Sequence, residues 1–566
     1  MRNVVNGLVA ASGVLLLALA ATVTVVDYAH PMFNDLPWIG LGFAAFALIL
    51  VWVAGEVRLR RIGAAAALLA APLWLLSAGD SLGPLPARMV ILGVDGATWQ
   101  VIDAEELPAF KATAAEGARG DLISMEPMFS PLLWTSIASG RTPADHGVRG
   151  FHVHSNDCKV ARWWDIAEAS GARVGLYKWL VDYPPRAFTS GGFWVPSWLA
   201  PTPETWPAHL SVVKEVELAN RLRRKAVGER GASLSVGFRL VGVGVRLSTL
   251  VRAGAWTLEA LVTDPDESRR NTVMQLIRGD IDRDVFIEQS YVEAPRVASL
   301  NYYATDGLAH LYWDRYVAGG DELRNAYRQV DGILGELRER LSSEGRLLVV
   351  SDHGFKAMDG NGIAGQFLPL TERLSARLST EVVHVDVTRV GHKLVVGTPS
   401  PADAGRVRAW VGTLTDDVGQ PFYKAGDFPD DPASVALTLV DERITASRLA
   451  LDHVGGDPMR DYVTMSVPYT GTHELHGVFL AWGEGVSAGR LGDIPLLDAA
   501  PTLLAGARLP AALDMPGRAH VWTEQKRAPS WDGLVPGLRF LEAAESGVNE
   551  EMLKALGYVD DGTGRP

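Results

Sequence analysis

The sequence predicts an α/β domain built on a largely parallel, buried sheet and preceded by N-terminal transmembrane helices. Three observations carry this. Segments such as "MVILGVDG" from Met89 and "RLLVVSDHG" (Arg346–Gly354) are apolar on both faces and end in polar residues. That is the pattern of strands covered by helices on both sides. Helical patterns such as "NAYRQVDGILGELRERL" (Asn325–Leu341) lie between them, as an alternating β/α order requires. Finally, the first 80 residues hold three uncharged apolar runs, Val4–Val26, Leu36–Gly55 and Ile62–Gly79.

Each run approaches or exceeds the about 20 helical residues that cross a hydrocarbon core. The third is the weakest, being Ala-rich and interrupted by Pro72. The connector "EVRLRR" (Glu56–Arg61) holds three arginines, whereas "DYAHPMFNDLP" (Asp27–Pro37) has two aspartates and no Lys or Arg. The positive-inside rule puts the arginine loop in the cytoplasm. The chain is then expected to start inside and cross three times, placing everything after Asp80 outside the inner membrane. "ALA" (Ala18–Ala20) offers a rival reading of the first run as a cleaved signal peptide, and two remaining spans would leave the same part outside.

A linker, residues 81–88, leads into a catalytic domain expected over 89–525. Its strands are "MVILGVDG", "VASLNYYATDG" (Val297–Gly307), "RLLVVSDHG" and "GVFLAWGEG" (Gly477–Gly485). In "FSPLLWTSIASGRTPADHG" (Phe129–Gly147), Ser130-Pro131 signals a helix start with Ser as N-cap, and Gly140 a helix stop. Residues 201–290 are helix-rich and read as an insertion or cap. Within them Ser233–Trp256 is apolar with three arginines, which fits a helix packed over the core or one lying on a bilayer. The tail, 526–566, is polar, with one short helix expected at Asn549–Tyr558.

The net charge of −13 over 566 residues, with no basic block suited to a phosphate backbone, excludes nucleic acid as a partner. "RLRRKAVGERG" (Arg221–Gly231) reads as a solvated helix face. Cys158 is the only cysteine, so no internal disulfide and no thiolate metal site can form.

Ligands of open α/β sheets bind beyond the carboxyl ends of the strands. That rule gathers Asp95, Asp306 with His310, Asp352 with His353, and His473 just ahead of the last strand. Asp306 and His310, four apart, share one helical face. Asp352 and His353 can converge only from a sharp loop, which Gly354 allows. Three Asp and three His in such places read as a two-metal site, the device that clamps the attacking and leaving oxygens of an in-line displacement at phosphorus. Ser130, at a helix N-terminus that favours an incoming phosphate, would supply the attacking oxygen. Nitrogen and oxygen ligands suit Zn²⁺, with Mn²⁺ or Fe as alternatives.

"VILGVDG", "SPLLWTSIASGRTPADHGV", "YYATDGLAH", "VVSDHGF" and "GTHELHGVFLAWG" resemble the alkaline phosphatase superfamily, in particular its type I phosphodiesterase/nucleotide pyrophosphatase branch. The resemblance runs from Met89 to Trp522 in motif order, and Ile494–Arg518 looks like the family's closing segment. It implies an alkaline-phosphatase-like three-layer sandwich. It also implies that Asp306, His310 and His473 hold one metal, while Asp95, Asp352 and His353 hold the other together with Ser130. Ser130 falls where this branch more often has Thr. The implied reaction is attack by Ser130, a phosphoseryl intermediate, and hydrolysis. The family's diesterases carry an Asn donor to the phosphoryl oxygen where this sequence has Phe151; His152, His154 and Lys178 are candidate substitutes.

The leading expectation is therefore a membrane-anchored, extracytoplasmic phosphohydrolase acting on a phosphodiester or phosphomonoester of lipid or envelope origin. The alternative is a transferase passing a phospho-group, such as phosphoethanolamine, to an envelope acceptor; a non-catalytic envelope protein is the third reading. His476 reads as a neighbour of the site rather than a ligand, and "GNGIAG" (Gly360–Gly365) as a loop rather than a dinucleotide site. The Trp163-Trp164 pair reads as core or cap. A sulfatase is disfavoured because "SPLLW" lacks the Cys/Ser-x-Pro-x-Arg motif.

Overall fold

In the computed structural model the description covers residues 83–148, 154–223, 234–263, 267–358, 365–390, 393–427, 432–440, 448, 451–468, 470–524 and 527–537. The three apolar runs, Phe151, His152, most of "GNGIAG" and the tail helix lie outside these. Among the described residues no helix is long and apolar enough to cross a membrane.

The centre is an eight-stranded sheet. Its strands are β1 (Met89–Val94), β2 (Ala118–Ile123), β3 (Val174–Tyr177), β4 (Gly192–Val195), β5 (Val297–Tyr302), β6 (Arg346–Val350), β7 (His476–Gly483) and β8 (Gly489–Pro495). They lie in the order β8-β2-β7-β6-β1-β5-β3-β4. Only β7 runs antiparallel to its neighbours, β6 and β2; the other pairings are parallel. The middle strands β1, β5 and β6 are buried along their whole length, as strands covered on both faces must be.

The covering helices are α1 (Pro108–Glu116), α2 (Ser130–Ser139), α3 (Trp163–Ala169), α4 (Ser211–Arg223), α5 (Leu234–Gly242), α6 (Leu247–Thr263), α7 (Glu267–Val292), α8 (Ala304–Val317), α9 (Glu322–Arg340) and α10 (Ala499–Gly506). Two buried clusters separate the layers. Phe110, Leu276, Phe286, Leu308 and Tyr327 cover one face of the sheet. Leu133, Trp134, Trp163, Trp164 and Leu503 cover the other. This is the three-layer α/β arrangement that the sequence predicts.

Residues 201–290 form α4 to α7, and Val212, Leu240, Trp256, Leu276 and Val285 from these helices join the main core. A separate core lies elsewhere. Asp386–Val390, Lys393–Gly397, Tyr423–Asp427 and Ser434–Leu439 make an antiparallel four-stranded sheet. Leu374, Val396, Val407 and Leu437 close a core of their own around it. The sequence pattern does not mark this second core, whose strands are five or six residues long and of mixed burial.

Candidate active site

The carboxyl ends of β1, β5 and β6 meet at one place. Asp95 directly follows β1, and its N–H donates to Tyr302 O at 2.9 Å. Thr305 Oγ1 donates to Asp95 O at 2.6 Å, tying the β1 turn to the start of α8. Gly96 takes φ +66°, and a Cβ there would lie 3.1 Å from Asp306 Cα, so glycine is what allows this approach. Asp306 stands in the first turn of α8 and His310 one turn on. Beyond β6, Ser351 Oγ donates to His353 O at 2.6 Å and accepts from Ala97 N at 2.8 Å. That pair of bonds fixes the loop from which Asp352 and His353 both point inward, each fully buried.

His473 arrives because β7 is reversed. The strand Gly471–Glu474 pairs with Gly354–Ala357, placing His473 opposite Phe355. A Cβ on Gly354 would fall 2.1 Å from His476 O, so only glycine lets these strands close. His476 itself opens β7 and is exposed.

Ser130 departs from its expected role. It is the first helical residue of α2, with Phe129 at the N-cap and no side-chain cap bond. Its hydroxyl is turned inward, donating to Asp95 Oδ1 at 3.4 Å and lying 3.5 Å from His353 Nε2. Pro131 follows it, and Gly140 ends the helix in the left-handed region at φ 65°. Trp134, one turn after Ser130, donates its indole N–H to Asp95 Oδ2 at 3.0 Å. One helix therefore addresses both oxygens of Asp95. Trp134 was not picked out from the sequence, although its spacing of four from Ser130 was available to find it.

The three imidazoles share a pattern. Nδ1 of His353, His310 and His473 faces the carbonyl oxygens of Gly354, Gly471 and Met128 at 3.0, 3.2 and 3.0 Å. A carbonyl only accepts, so Nδ1 carries a hydrogen and Nε2 is the nitrogen that each ring turns inward. His310 Nε2 and His473 Nε2 are 2.9 Å apart and lie 3.4 and 3.3 Å from Asp306 Oδ1. A tetrahedral ion with ligands at about 2.0–2.1 Å holds its ligand atoms roughly 3.3 Å apart, which fits this triangle.

Close to it, Asp95, Asp352 and His353 form a second set, and His353 is also within reach of Asp306 and His473. Asp306 Oδ1 and Asp352 Oδ2 are buried with no hydrogen-bond partner. Orphaned carboxylate oxygens facing imidazole Nε2 atoms are a donor set that suits divalent metal ions.

The charges agree. Burial, then the neighbouring Asp352 and Asp306, pushes Asp95 well above the usual carboxylate range. Burial, then Asp306, does the same to Asp352. Burial would also raise Asp306, but His310 and His473 outweigh it and hold that carboxyl well below its ordinary value. Burial, then His473, keeps His353 neutral. Crowded carboxylates of this kind need protons or cations between them.

Of the residues considered in place of the Asn donor, Lys178 is enclosed. Its Nζ lies 2.8 Å from Asp282 and 3.1 Å from Glu217, with all three side chains nearly inaccessible. The ring of His154 lies against Tyr183, centroids 5.8 Å apart. Trp163 and Trp164 are core, packed edge-on with Trp179. Cys158 is a buried free thiol.

Comparison with solved structures finds human ectonucleotide pyrophosphatase/phosphodiesterase 5 at 13% identity and a TM-score of 0.43, covering 77% of this chain and 98% of that one. The murine enzyme matches at 12% identity and a TM-score of 0.43, over 77% and 99%. An inactive murine variant in complex with AMP matches at 12% identity and 0.42, over 78% and 99%. A search of curated proteins finds no match. A sequence model described as type I phosphodiesterase / nucleotide pyrophosphatase matches residues 89–430, more than half of the chain. This chain thus belongs to the type I phosphodiesterase / nucleotide pyrophosphatase family, and with it to the phosphoric ester hydrolases.

Proposed function

We propose that the protein is a membrane-anchored phosphohydrolase that uses two divalent metal ions, Zn²⁺ in the first instance, and Ser130 as nucleophile. The observation that carries this is the position of Ser130 Oγ. It heads a helix, its hydroxyl is engaged by Asp95 rather than by the backbone, and it borders the Asp95, Asp352 and His353 set. Asp306, His310 and His473 would hold one ion, and Asp95, Asp352 and His353 the other. When bound, the ions supply positive charge for the phosphoryl oxygens and lower the pKa of a coordinated hydroxyl.

The protein's own groups do the rest. Asp95 Oδ1 orients the Ser130 hydroxyl so that a lone pair faces the incoming phosphorus. The first-turn N–H groups of α2, which lack helical acceptors, present partial positive charge to the same place. The Oγ–P bond forms as the ester P–O bond opposite it breaks, and the proton given up by the Ser130 hydroxyl leaves with the departing alcohol. A water molecule then attacks the phosphoseryl group from the vacated side, cleaving Oγ–P and returning the hydroxyl.

The substrate class that the family favours is a nucleotide-like phosphodiester. The apolar runs before Asp80 and the arginine-rich Glu56–Arg61 connector support anchoring in the inner membrane with the catalytic domain outside. A reporter fused after Asp80 tests that topology, and cytoplasmic reporter activity would overturn it.

The full chain, assayed in membranes with Zn²⁺ or Mn²⁺, should turn over bis-p-nitrophenyl phosphate or p-nitrophenyl phosphate. Ser130→Ala should lose about 10³-fold or more, as expected when a covalent nucleophile is removed. Equal activity in Ser130→Ala would sink the assignment. Product release that depends on an added alcohol acceptor would instead identify a transferase.

A further inference from the structure

We infer that the outward residues of the successive helices α5 and α6 are a second membrane contact, an apolar surface resting on the leaflet from which the N-terminal segment emerges. The proposal rests on the anchored reading above, and extends it to a surface of the catalytic domain.

The first observation is composition. Ser233–Trp256 carries three arginines and no Asp or Glu, in a chain of net charge −13. Between Val236 and Trp256 the exposed positions are Phe238, Arg239, Val241, Gly242, Leu247, Val251 and Gly254. A helix pair facing only water would carry acids and lysines there. Phe238 is 77% exposed and Val251 53%. Five of the eleven exposed large hydrophobics among the described residues, Val292 included, belong to this region. The inner faces of the same helices are accounted for, since Leu240, Val243, Val245 and Trp256 are buried in the core. The outward apolar residues are therefore a separate face rather than misplaced core.

The second observation is location. Gly83, in the linker that leads into the domain, has a carbonyl that accepts from Tyr291 Oη at 2.9 Å, beside the exposed Val292 at the end of α7. Leu85 N donates to Arg340 O at 2.7 Å, and Arg340 Nε pairs with Glu336 at 2.9 Å. Glu336 also pairs with Arg246, the residue before Leu247 and α6. One ionic chain thus links the place where the N-terminal segment joins the domain to the α5–α6 corner. Gln289 Nε2 donates to Val243 O at 3.2 Å and holds that corner against the end of α7. The patch therefore lies close to the linker that follows the apolar runs in the sequence.

The chemistry favours lipid acyl and glycerol groups over headgroup charge. Arg239, Arg246 and Arg252 are already paired with Glu215, with Asp284 and Glu336, and with Asp280. The contact would come from Phe238, Val241, Leu247 and Val251 sinking into the interface, as amphipathic surface helices do. It has a consequence for the site. Gly83 lies at the amino-terminal end of β1 and Asp95 beyond its carboxyl end, so six residues of strand, roughly 20 Å, separate them. The contact would hold the catalytic centre away from the bilayer, open to substrates from the far side.

The test uses full-length protein in nanodiscs. Cys158 is buried, so an introduced cysteine is the residue that labels. Val241→Cys and Val251→Cys, with Val418→Cys on the separate four-stranded unit as control, carry an environment-sensitive fluorophore. Phe238→Cys and Leu247→Cys serve as a second pair should either of the first fail to fold.

The expected result is quenching of 241 and 251 by lipids with nitroxide at the headgroup, protection from aqueous iodide, and the reverse at 418. It should be the same in phosphatidylcholine and in phosphatidylglycerol mixtures, because the arginines are neutralised. Iodide quenching at 241 and 251 equal to that at 418 overturns the proposal. So does protection from both quenchers, which would mean that protein, a second copy or the chain's own N-terminal segment, covers the face. Alkaline carbonate extraction of the same samples separates the two ideas. Release from the membrane refutes anchoring, whereas retention with labels open to iodide refutes only the contact.

Discussion

Trp134→Phe isolates the part played by the indole N–H that holds Asp95. The native bond is 3.0 Å to Asp95 Oδ2, and both groups are fully enclosed. Phenylalanine keeps the ring in the α2 face of the core and deletes the donor. A hydrogen bond to a charged group contributes about 1.5–3 kcal/mol. If all of that acts on the placement of Asp95, turnover falls about 10- to 150-fold, at 1.36 kcal/mol per factor of ten. A residue that orients a metal ligand costs a similar 10- to 100-fold. The smaller ring also leaves a void on the order of 40 Å³, worth about 1 kcal/mol of stability.

The assay is kcat and KM against bis-p-nitrophenyl phosphate over a metal titration, with urea unfolding alongside. The expected outcome is a lower kcat, a higher metal concentration for half-activity, and a KM little changed. A variant that loses the stability but keeps kcat and metal dependence within about twofold would show that Asp95 does not need the indole.

Three further outcomes follow from the same geometry. Removal of metal by chelation should abolish turnover and lower the melting temperature, both recovering with added Zn²⁺; an ion present at about 1,000 times its Kd contributes about 4 kcal/mol, so an unchanged melting temperature would argue against ions at this site. His146, buried against Ser136 Oγ at 3.0 Å, is pushed by burial down to about 4. The unfolded chain then takes up a proton that the folded chain refuses, so this contribution is whole above about pH 6.5 and is lost towards pH 4, up to roughly 3 kcal/mol. His146→Gln should flatten that part of the urea-measured pH–stability curve. Lys178→Met would leave Asp282 buried without its cation and should cost about 3–5 kcal/mol, with turnover per folded molecule unchanged; a collapse of kcat in a stable variant would give Lys178 a catalytic part after all.

The sheet and the six Asp and His positions were legible because both are written locally. Doubly apolar strands announce themselves by composition, and the polar residue that ends each one must fall at the sheet's carboxyl edge. His473 was legible too, for a reason the sequence alone does not state: it precedes the one reversed strand, so its N-terminal side meets the others' C-terminal sides. What stayed hidden depends on distance in the chain. The carbonyls of Met128 and Gly471 that orient His473 and His310 leave no mark on side-chain pattern. The second core around Leu374, Val396 and Leu437 is assembled from short strands with mixed burial. The cap signal at Ser130-Pro131 pointed to the right helix start and the wrong use of the hydroxyl, since N-cap and N1 differ by one residue and sequence preference does not separate them.

The charge balance of the site restricts what can bind there. Three carboxylates converge, burial keeps His353 neutral, and all three histidines turn Nδ1 to a backbone carbonyl, which leaves Nε2 for the site. Without cations the aspartates repel one another, which is why Asp95 and Asp352 are driven towards their protonated forms. Two divalent ions, if bound as proposed, would more than neutralise them and leave one positive charge in excess. A neutral alcohol at Ser130 does not remove that excess, whereas a phosphodiester, with its single negative charge, does. A phosphomonoester dianion overshoots by one charge and would need a further donor on the phosphoryl oxygens, and Lys178, enclosed by Asp282 and Glu217, does not supply it. On this reasoning p-nitrophenyl phosphate should be turned over less efficiently than its bis ester. The ratio of their kcat/KM values measures it, and a preference for the monoester would place an additional cation or donor beside Ser130.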